Sequence, residues 1–357
     1  MKSRTVLIVM VAWAGMSTLW AQTTPSPALL VLAKRDRSLA IVDPATLKVV
    51  GRVPAGPDPH EVIASPDGKT AYMSNYGGGA YNTISVADLV ERKSLPAFDL
   101  GVLHGPHGLW FAGGKLYFTA EANKVIGRYD PSAGKIDWIL GTGQDRTHMI
   151  VVSNDLNRIF TSNVSSGTVS IIDKVVRPFG FPGPPPGAPN GLPPPPHGPT
   201  GPPPGPRGPD WEQTVVLVGR GSEGFDVTPD GKELWVANAQ DGTISIVDIA
   251  AKKVTQTLDA NVRGANRLKF TLDGKRAFVS SLGGANLAVL DVSTRQDIKR
   301  LKLGRGAAGI LMQPDGARAY VSCSPDNYVA VIDLTTLEVI GHIDGGQEPD
   351  GLAWATR

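Results

Sequence analysis

GFDVTPDGKELWVANAQDGTISIVDIAAKKVTQTL, residues Gly224–Leu258, is the stretch of sequence that decides the fold. Its hydrophobic residues recur with a period of two, which predicts four short strands rather than helices. Pro229-Asp230-Gly231 separates the first two predicted strands. This triplet is typical of a tight reversal, because proline presets its backbone angle and glycine accepts a positive φ. The stretch therefore predicts a four-stranded antiparallel unit.

Close variants of this unit recur along the 357 residues of the chain. Each has a tetrad at the start of its second predicted strand, and successive tetrads begin 42, 45, 43, 75, 43 and 42 residues apart. The seven tetrads are Leu30–Ala33, Tyr72–Asn75, Tyr117–Ala120, Phe160–Asn163, Trp235–Asn238, Phe278–Ser281 and Tyr320–Cys323. A four-stranded unit of this length, repeated seven times, predicts an all-β, seven-bladed propeller.

The two ends of the chain complement each other. The first unit, Leu29–Val53, lacks an opening strand, and Gln347–Arg357 contains one. We therefore predict that the C-terminal strand joins the N-terminal blade and closes the ring. The predicted blades, which together make one domain over residues 28–357, are approximately 28–56 with 347–357, 57–101, 102–143, 144–221, 222–264, 265–306 and 307–346.

The tetrads, with the surrounding PDGK, VAN and TISIVD runs, resemble the YVTN-repeat β-propeller family. The resemblance covers Ala28–Arg357 apart from one insertion. It implies a seven-bladed ring of four-stranded blades. It implies little about activity, because such a scaffold serves many roles.

The N-terminal residues 1–21 are typical of an export signal, with Lys2 and Arg4 followed by an apolar run and a small residue, Ala21, at its end. Residues 22–27 are then a short linker. We expect a periplasmic or extracellular protein with no transmembrane span after cleavage; an uncleaved membrane anchor is the alternative. The single cysteine, Cys323, excludes an internal disulfide.

Residues 177–210 form an insertion with 16 Pro and eight Gly in 34 residues. This composition cannot build a core and predicts a disordered loop, either a docking segment or a tolerated surface excursion. Across the chain, 35 Lys and Arg balance 33 Asp and Glu. No basic run stands out, so we expect no nucleic-acid partner, and we expect a monomer.

Candidate site residues are found where the repeats differ. The position just ahead of the first predicted strand, where the blades converge on the channel, reads His60, His107, His148, Glu223, Asn266, Ala308 and Asp350. The adjacent loop position between the second and third strands reads Arg35, Asn75, Glu121, Asn163, Asn238, Ser281 and Cys323. Both positions belong to one face of the ring, so we predict a binding site at that mouth of the channel.

Three imidazoles with a carboxylate suit Zn²⁺, Fe²⁺ or Cu²⁺. We therefore name His60, His107, His148 and Glu121 as a candidate metal set. The alternative for His107 is that Pro106-His107-Gly108 belongs to the repeat consensus. No nucleotide-binding or haem-attachment motif occurs in the sequence.

Three functions follow from these patterns. The first is a non-catalytic platform that binds a small molecule or a protein at the channel mouth. The second is a metal-dependent hydrolase or lyase, similar to lactone-hydrolysing propellers, with Glu121 or Glu223 as a further ligand or general base. The third is an adhesive surface protein whose contact is the proline-rich insertion.

Overall fold

A computed structural model of the chain describes residues 24–176 and 210–357. These residues form 28 strands in seven antiparallel sheets of four strands each. The predicted signal segment and the predicted insertion lie outside the described residues, apart from Asp210. Within the described ranges, no helix is long and apolar enough to cross a membrane.

Successive sheets are the blades of the propeller, and we number strands in chain order. The strands of blades 1 to 3 are β1 (Ala28–Ala33), β2 (Ser38–Asp43), β3 (Lys48–Pro54), β4 (Pro59–Ala64), β5 (Thr70–Asn75), β6 (Thr83–Asp88), β7 (Lys93–Asp99), β8 (Pro106–Ala112), β9 (Lys115–Ala120), β10 (Val125–Asp130) and β11 (Lys135–Gly141). Those of blades 4 and 5 are β12 (Thr147–Val152), β13 (Arg158–Asn163), β14 (Thr168–Val175), β15 (Asp210–Leu217), β16 (Ser222–Val227), β17 (Glu233–Asn238), β18 (Thr243–Asp248) and β19 (Lys253–Leu258). Those of blades 6 and 7, with the last strand, are β20 (Ala265–Phe270), β21 (Arg276–Ser281), β22 (Asn286–Asp291), β23 (Asp297–Lys302), β24 (Ala307–Met312), β25 (Arg318–Cys323), β26 (Tyr328–Asp333), β27 (Glu338–Ile343) and β28 (Pro349–Ala355).

The ring closes as predicted, because β28 pairs antiparallel with β1 and completes blade 1 in the order β28-β1-β2-β3. Opposite residues in this pair include Leu30 and Ala353. The all-β, seven-bladed fold class is thereby confirmed. Short 3₁₀ turns follow the second strand at Gly77–Gly79, Glu121–Asn123 and Ser324–Asp326.

Hydrophobic side chains fill the spaces between neighbouring blades. Trp235 in blade 5 is fully buried and meets Phe270 of blade 6 edge to face, with ring centroids 5.4 Å apart. Tyr320 in blade 7 packs against Trp354 of β28, with ring centroids 6.1 Å apart and the rings tilted by 31°. Each blade therefore buries its faces against its neighbours, as expected for a closed ring of sheets.

A β-bulge interrupts the first strand of every blade at the same place. In blade 2, Pro59 lies opposite Asn75 and Val62 opposite Met73, so the two residues between them face a single residue of β5. The remaining blades show the same register shift. Bulges re-aim side chains out of the normal alternation of a strand. Here they turn the second residue of each first strand toward the channel.

The hydroxyl side chains in the tetrads stabilise these bulges. Thr119 Oγ1 accepts a hydrogen bond from Gly108 N (2.9 Å) and donates one to His148 O in the next blade (2.7 Å). Ser280 does the same in blade 6, accepting from Arg267 N (3.0 Å) and donating to Ala308 O (2.6 Å). One side chain thus satisfies two buried backbone groups and links adjacent bulges.

Glycine follows the bulge residue where neighbouring blades come closest. A Cβ on Gly108 would lie 2.5 Å from His148 O, and one on Gly351 would lie 2.7 Å from His60 O. The backbones of the first strands therefore contact each other around the ring. This close packing narrows the channel just beneath the bulge residues.

Candidate functional site

A cavity of about 300 Å³ lies at the mouth of the channel where the first strands begin. The second residue of each first strand lines it. These residues are His60, His107, His148, Glu223, Asn266, Ala308 and Asp350. The structure thus brings together seven side chains that are up to 290 residues apart in the chain, from His60 to Asp350. Further polar side chains of the wall are those of Lys34, Tyr76, Arg146, Arg267, Ser324 and Glu348.

Glu61 and Arg267 form an ion pair across the channel, between blades 2 and 6. Arg267 Nη1 also donates to the side-chain oxygen of Asn266 at 3.2 Å. Burial raises the pKa of the Glu61 carboxyl, while the Arg267 guanidinium opposes that shift. Arg267 also lines the cavity, and sequence reasoning missed this pair. The available signal was that both residues replace the glycine found at this position in four other blades.

His148 lies between two carboxylates. Its Nδ1 is hydrogen-bonded to Glu121 Oε1, and its Nε2 lies 3.0 Å from Glu223 Oε1 without the alignment of a hydrogen bond. Burial works to lower the pKa of His148, but Glu223 and Glu121 prevail and raise it to about 9. The charge of His148 in turn holds the pKa of Glu223 at about 2 against the effect of burial. This imidazole is therefore a cation at neutral pH.

Tyr76 and Arg146 support the same group. The Tyr76 hydroxyl donates to Glu121 Oε2 at 2.7 Å, and Arg146 Nε lies 3.5 Å from that oxygen. Arg146 Nη2 is also 3.8 Å from Glu223 Oε1. Burial, with the neighbouring Glu121 carboxylate, raises the pKa of Tyr76 to about 12, so the phenol stays protonated. Both carboxylates beside His148 are thus held by further donors.

His107 lies between the other two histidines. Its ring centroid is 3.8 Å from that of His148 and 5.1 Å from that of His60. Burial, reinforced by the positive charge of His148, lowers the pKa of His107 well below its usual value, so this imidazole is neutral. Among the described residues, its Nδ1 has no hydrogen-bond partner.

The ring nitrogens of His60 face a second group of charged residues in the same cavity. Its Nε2 lies 2.8 Å from Lys34 Nζ, and its Nδ1 lies 3.7 Å from Asp350 Oδ2. Asp58 Oδ1 is 3.4 Å from His60 Nε2. Burial lowers the pKa of His60, so its neutral ring accepts a hydrogen bond from Lys34 Nζ. His60 therefore pairs with an amine rather than with the other imidazoles.

Three buried residues could hold a metal ion: His107, Glu121 and His148, whose ligand atoms all lie within 4.8 Å of one another. The set predicted from sequence also contained His60. Within the described residues, His60 does not join this cluster, because its ring nitrogens face Lys34, Asp58 and Asp350 instead.

Three of the four asparagines predicted at the mouth lie inside the blades, whereas Asn266 lines the cavity. Asn75 donates to Thr83 Oγ1 and Ser85 Oγ, both at 2.9 Å. The equivalent amides bond to third-strand hydroxyls in the same way and are those of Asn163 and Asn238. Their role is to join the second and third strands. Glu121 lies one residue beyond this position, in a 3₁₀ turn, and that offset brings its carboxylate to His148.

A larger cleft, of about 650 Å³, lies on the opposite face of the ring. Trp110, Asp155, Arg158 and Pro229 are among the residues that line it. Size alone would favour this cleft. The buried imidazoles and the carboxylates with displaced pKa values gather at the smaller cavity, and such clusters mark functional sites. We therefore take the cavity at the channel mouth as the candidate site.

Fold and site together define the chain as a seven-bladed β-propeller with a polar cavity at one mouth of its channel. Neither a protein-family model nor a curated protein matches the chain. Solved structures do. A functionally unknown protein from Desulfotomaculum acetoxidans is 14% identical, with a TM-score of 0.70 over 92% of this chain and 99% of that one.

Two further solved structures show the same architecture. A candidate 6-phosphogluconolactonase from Bacteroides uniformis is 15% identical, with a TM-score of 0.67 over 92% of this chain and 99% of that chain. Dihydro-heme d1 dehydrogenase NirN is 14% identical, with a TM-score of 0.59 over 91% of this chain and 74% of that chain. At such identities the likeness shows the fold alone.

Proposed function

We propose that the chain is an exported propeller of the YVTN-repeat type that binds a small polar molecule in the cavity at the channel mouth. The observation that supports this most is the convergence of seven equivalent bulge residues on one cavity, where six of the seven are polar. Its volume of about 300 Å³ is near the lower end for ligand pockets, which favours a small molecule over a protein segment.

The wall of the cavity favours a ligand with several hydrogen-bonding groups. Lys34, Arg146 and Arg267 supply cationic donors, and Glu223 and Asp350 supply acceptors. Each charged group is already paired with another, so the cavity carries no large excess of one charge. Sugars, sugar acids and amino acids have the mixed donors and acceptors that such a wall can satisfy.

Filling the cavity tests this proposal. Ala308 has the smallest side chain among the seven bulge residues, and Ala308→Phe places a ring in the cavity. Ala133→Phe, on an exposed turn, is the matched control. We expect at least one member of a panel of sugars, sugar acids and amino acids to raise the Tm of the wild type and of the control, but not of Ala308→Phe.

Two results would contradict the proposal. One is a panel in which no compound shifts the Tm of the wild type. The other is an equal response from Ala308→Phe, which would locate binding elsewhere. Steady multiple turnover of a bound compound would instead favour an enzyme.

The second candidate is a metal-dependent hydrolase that acts on lactones. The three residues able to hold a metal, His107, Glu121 and His148, support it, because a metal ion can polarise a carbonyl or activate water. A hydrolysis assay distinguishes the two candidates. The zinc-loaded protein is mixed with glucono-δ-lactone, and hydrolysis is measured as the release of acid. A rate no greater than the spontaneous rate would remove lactone hydrolysis.

Two further predictions from the sequence remain proposals. Export to the periplasm or beyond depends on residues 1–21, and adhesion through the proline-rich insertion depends on residues 177–210. Removing the insertion should abolish capture of a surface partner if adhesion is the function. Retained capture would exclude it.

A further inference from the structure

We propose that His107 and His148, with the carboxylate of Glu121, bind one divalent transition-metal ion at the edge of the cavity. The first candidate function does not depend on this site, whereas the second requires it.

The main observation is a buried imidazole nitrogen without a partner, beside a second imidazole and a carboxylate. His107 and His148 are 3% and 2% exposed. Among the described residues, His107 Nδ1 has no hydrogen-bond partner, and its ring lies 3.8 Å from that of His148. Buried polar atoms are almost always hydrogen-bonded, so this nitrogen requires an explanation. A metal ion shared with His148 and Glu121 accounts for it, because imidazole nitrogen is a preferred ligand of borderline metals.

The carboxylates complete the arrangement. The imidazole of His148 has Glu121 beside its Nδ1 and Glu223 beside its Nε2. The ion would displace the Nδ1 proton to solvent and bind between Nδ1 and Glu121, while Glu223 accepts the remaining Nε2–H. Imidazole ligands in metal sites usually donate their second N–H to a carboxylate, which fixes the orientation of the ring. Two carboxylates also balance the charge of a divalent ion. We assign Glu121 as the ligand, because it belongs to the cluster whose atoms lie within 4.8 Å.

The cluster must contract slightly to bind metal. Ligand atoms of a tetrahedral zinc site are about 3.4 Å apart, given metal–ligand distances near 2.1 Å. The cluster spans up to 4.8 Å, so its side chains must close by up to about 1.4 Å. Tyr76 and Arg146 hold Glu121 in place, and the bulges hold both imidazoles. Rotation of the side chains alone can supply this movement.

Ligand type selects the metal. Two nitrogens and one oxygen suit Zn²⁺, Co²⁺, Fe²⁺ or Cu²⁺ and do not suit Ca²⁺ or Mg²⁺, which prefer oxygen ligands. Both imidazoles line the cavity. Three protein ligands would leave a coordination position that a molecule in the cavity could reach, as in catalytic zinc sites.

The test uses the metal alone. Protein expressed without an affinity tag is stripped with a chelator and titrated with Co²⁺, whose visible absorbance reports tetrahedral nitrogen and oxygen ligands; Zn²⁺ then competes. We expect one equivalent to bind. His107→Asn, His148→Gln and Glu121→Gln should each weaken binding at least tenfold, roughly the loss seen when even an outer partner of a metal ligand is removed.

Two matched controls locate the site. His60→Asn alters the third imidazole of the same cavity, and His342→Asn alters an imidazole in blade 7 that stacks on Tyr328. Both should bind Co²⁺ as the wild type does. Thermal unfolding shows whether each variant is folded. If a histidine variant does not fold, the Co²⁺ affinity of Glu121→Gln tests the proposal.

Three results would overturn the proposal. The wild type could bind less than one equivalent, which would leave ordered water as the partner of His107 Nδ1. Binding could survive in all the folded cluster variants. Binding could also be lost in His60→Asn, which would show a different set of ligands.

Discussion

His107 and His148 occupy equivalent positions in neighbouring blades, yet their surroundings give them different protonation states. Burial keeps the pKa of His107 well below its usual value. His148 is buried as deeply, but Glu223 and Glu121 raise its pKa to about 9. Equivalent positions in the repeat therefore do not imply equivalent chemistry. The neighbours in the other blades decide the state of each ring.

The ion pair between Glu61 and Arg267 allows a stability prediction. Arg267→Met leaves the Glu61 carboxylate buried without a partner, which typically costs about 3–5 kcal/mol of unfolding free energy. The double variant Glu61→Leu with Arg267→Met removes both charges and should lose much less. Guanidinium unfolding of the single and double variants measures both effects. A double variant as unstable as the single one would contradict this account.

The seven bulge residues could be found from the sequence because the repeat length is nearly constant. The roles of Lys34, Tyr76 and Arg146 could not be found from the sequence, because each of these side chains contacts a residue of another blade. Tyr76, for example, reaches Glu121 across 45 residues of chain. Such contacts depend on the angle between blades, which the repeat length does not specify.

At the scale of single elements, the bulge and the tetrad hydroxyl work together. Sequence reasoning gave the tetrads a role only in building the ring. The structure adds that their Ser or Thr hydroxyl forms hydrogen bonds with backbone groups of the bulges. Blade 5 has Ala237 at this place, so the hydroxyl is not required in every blade. The alignment also assigned Glu121 to the same loop position as Asn75. The 3₁₀ turn shows that Glu121 comes one residue later.

Ser280→Ala tests the contribution of this hydroxyl. The change removes the acceptor of Arg267 N and the donor to Ala308 O, both buried. We expect a loss of about 1–3 kcal/mol, the usual cost of leaving buried polar groups unpaired. Chemical denaturation measures it.

Ser293→Ala is the matched control, because Ser293 bonds to Asp291 in an exposed turn. An exposed substitution of this kind usually changes stability by no more than about 0.5 kcal/mol. Equal losses for the two serines would show that the bulge does not depend on its hydroxyl.

At the scale of the whole molecule, stability depends on ring closure by the last strand. Removing residues 349–357 deletes β28, exposes the inner edge of β1 and removes Asp350 from the cavity. We expect the shortened chain to lose its cooperative thermal transition, because an open propeller leaves an unpaired strand edge. Removing Arg357 alone should preserve it. A cooperative transition near the wild-type Tm without β28 would contradict this role.

The architecture could be predicted from sequence because every blade repeats a tetrad and an alternating third strand at a nearly constant spacing. The ligand could not be predicted from sequence. Each repeat contains only one or two residues that distinguish its blade from the others, and these residues come together only in the closed ring. The metal cluster shows this limit. The spacing of the histidines in the sequence predicted that all three imidazoles bind the metal. In the structure, His60 is hydrogen-bonded to Lys34 and does not belong to the cluster.

An anomalous difference map at the zinc absorption edge, from crystals grown with Zn²⁺, tests the central claim most directly. The account expects a single strong peak at the edge of the cavity, about 2.0–2.2 Å from a ring nitrogen of His107, a ring nitrogen of His148 and a carboxylate oxygen of Glu121. No peak at these three residues, or a peak held by His60 instead, would contradict it.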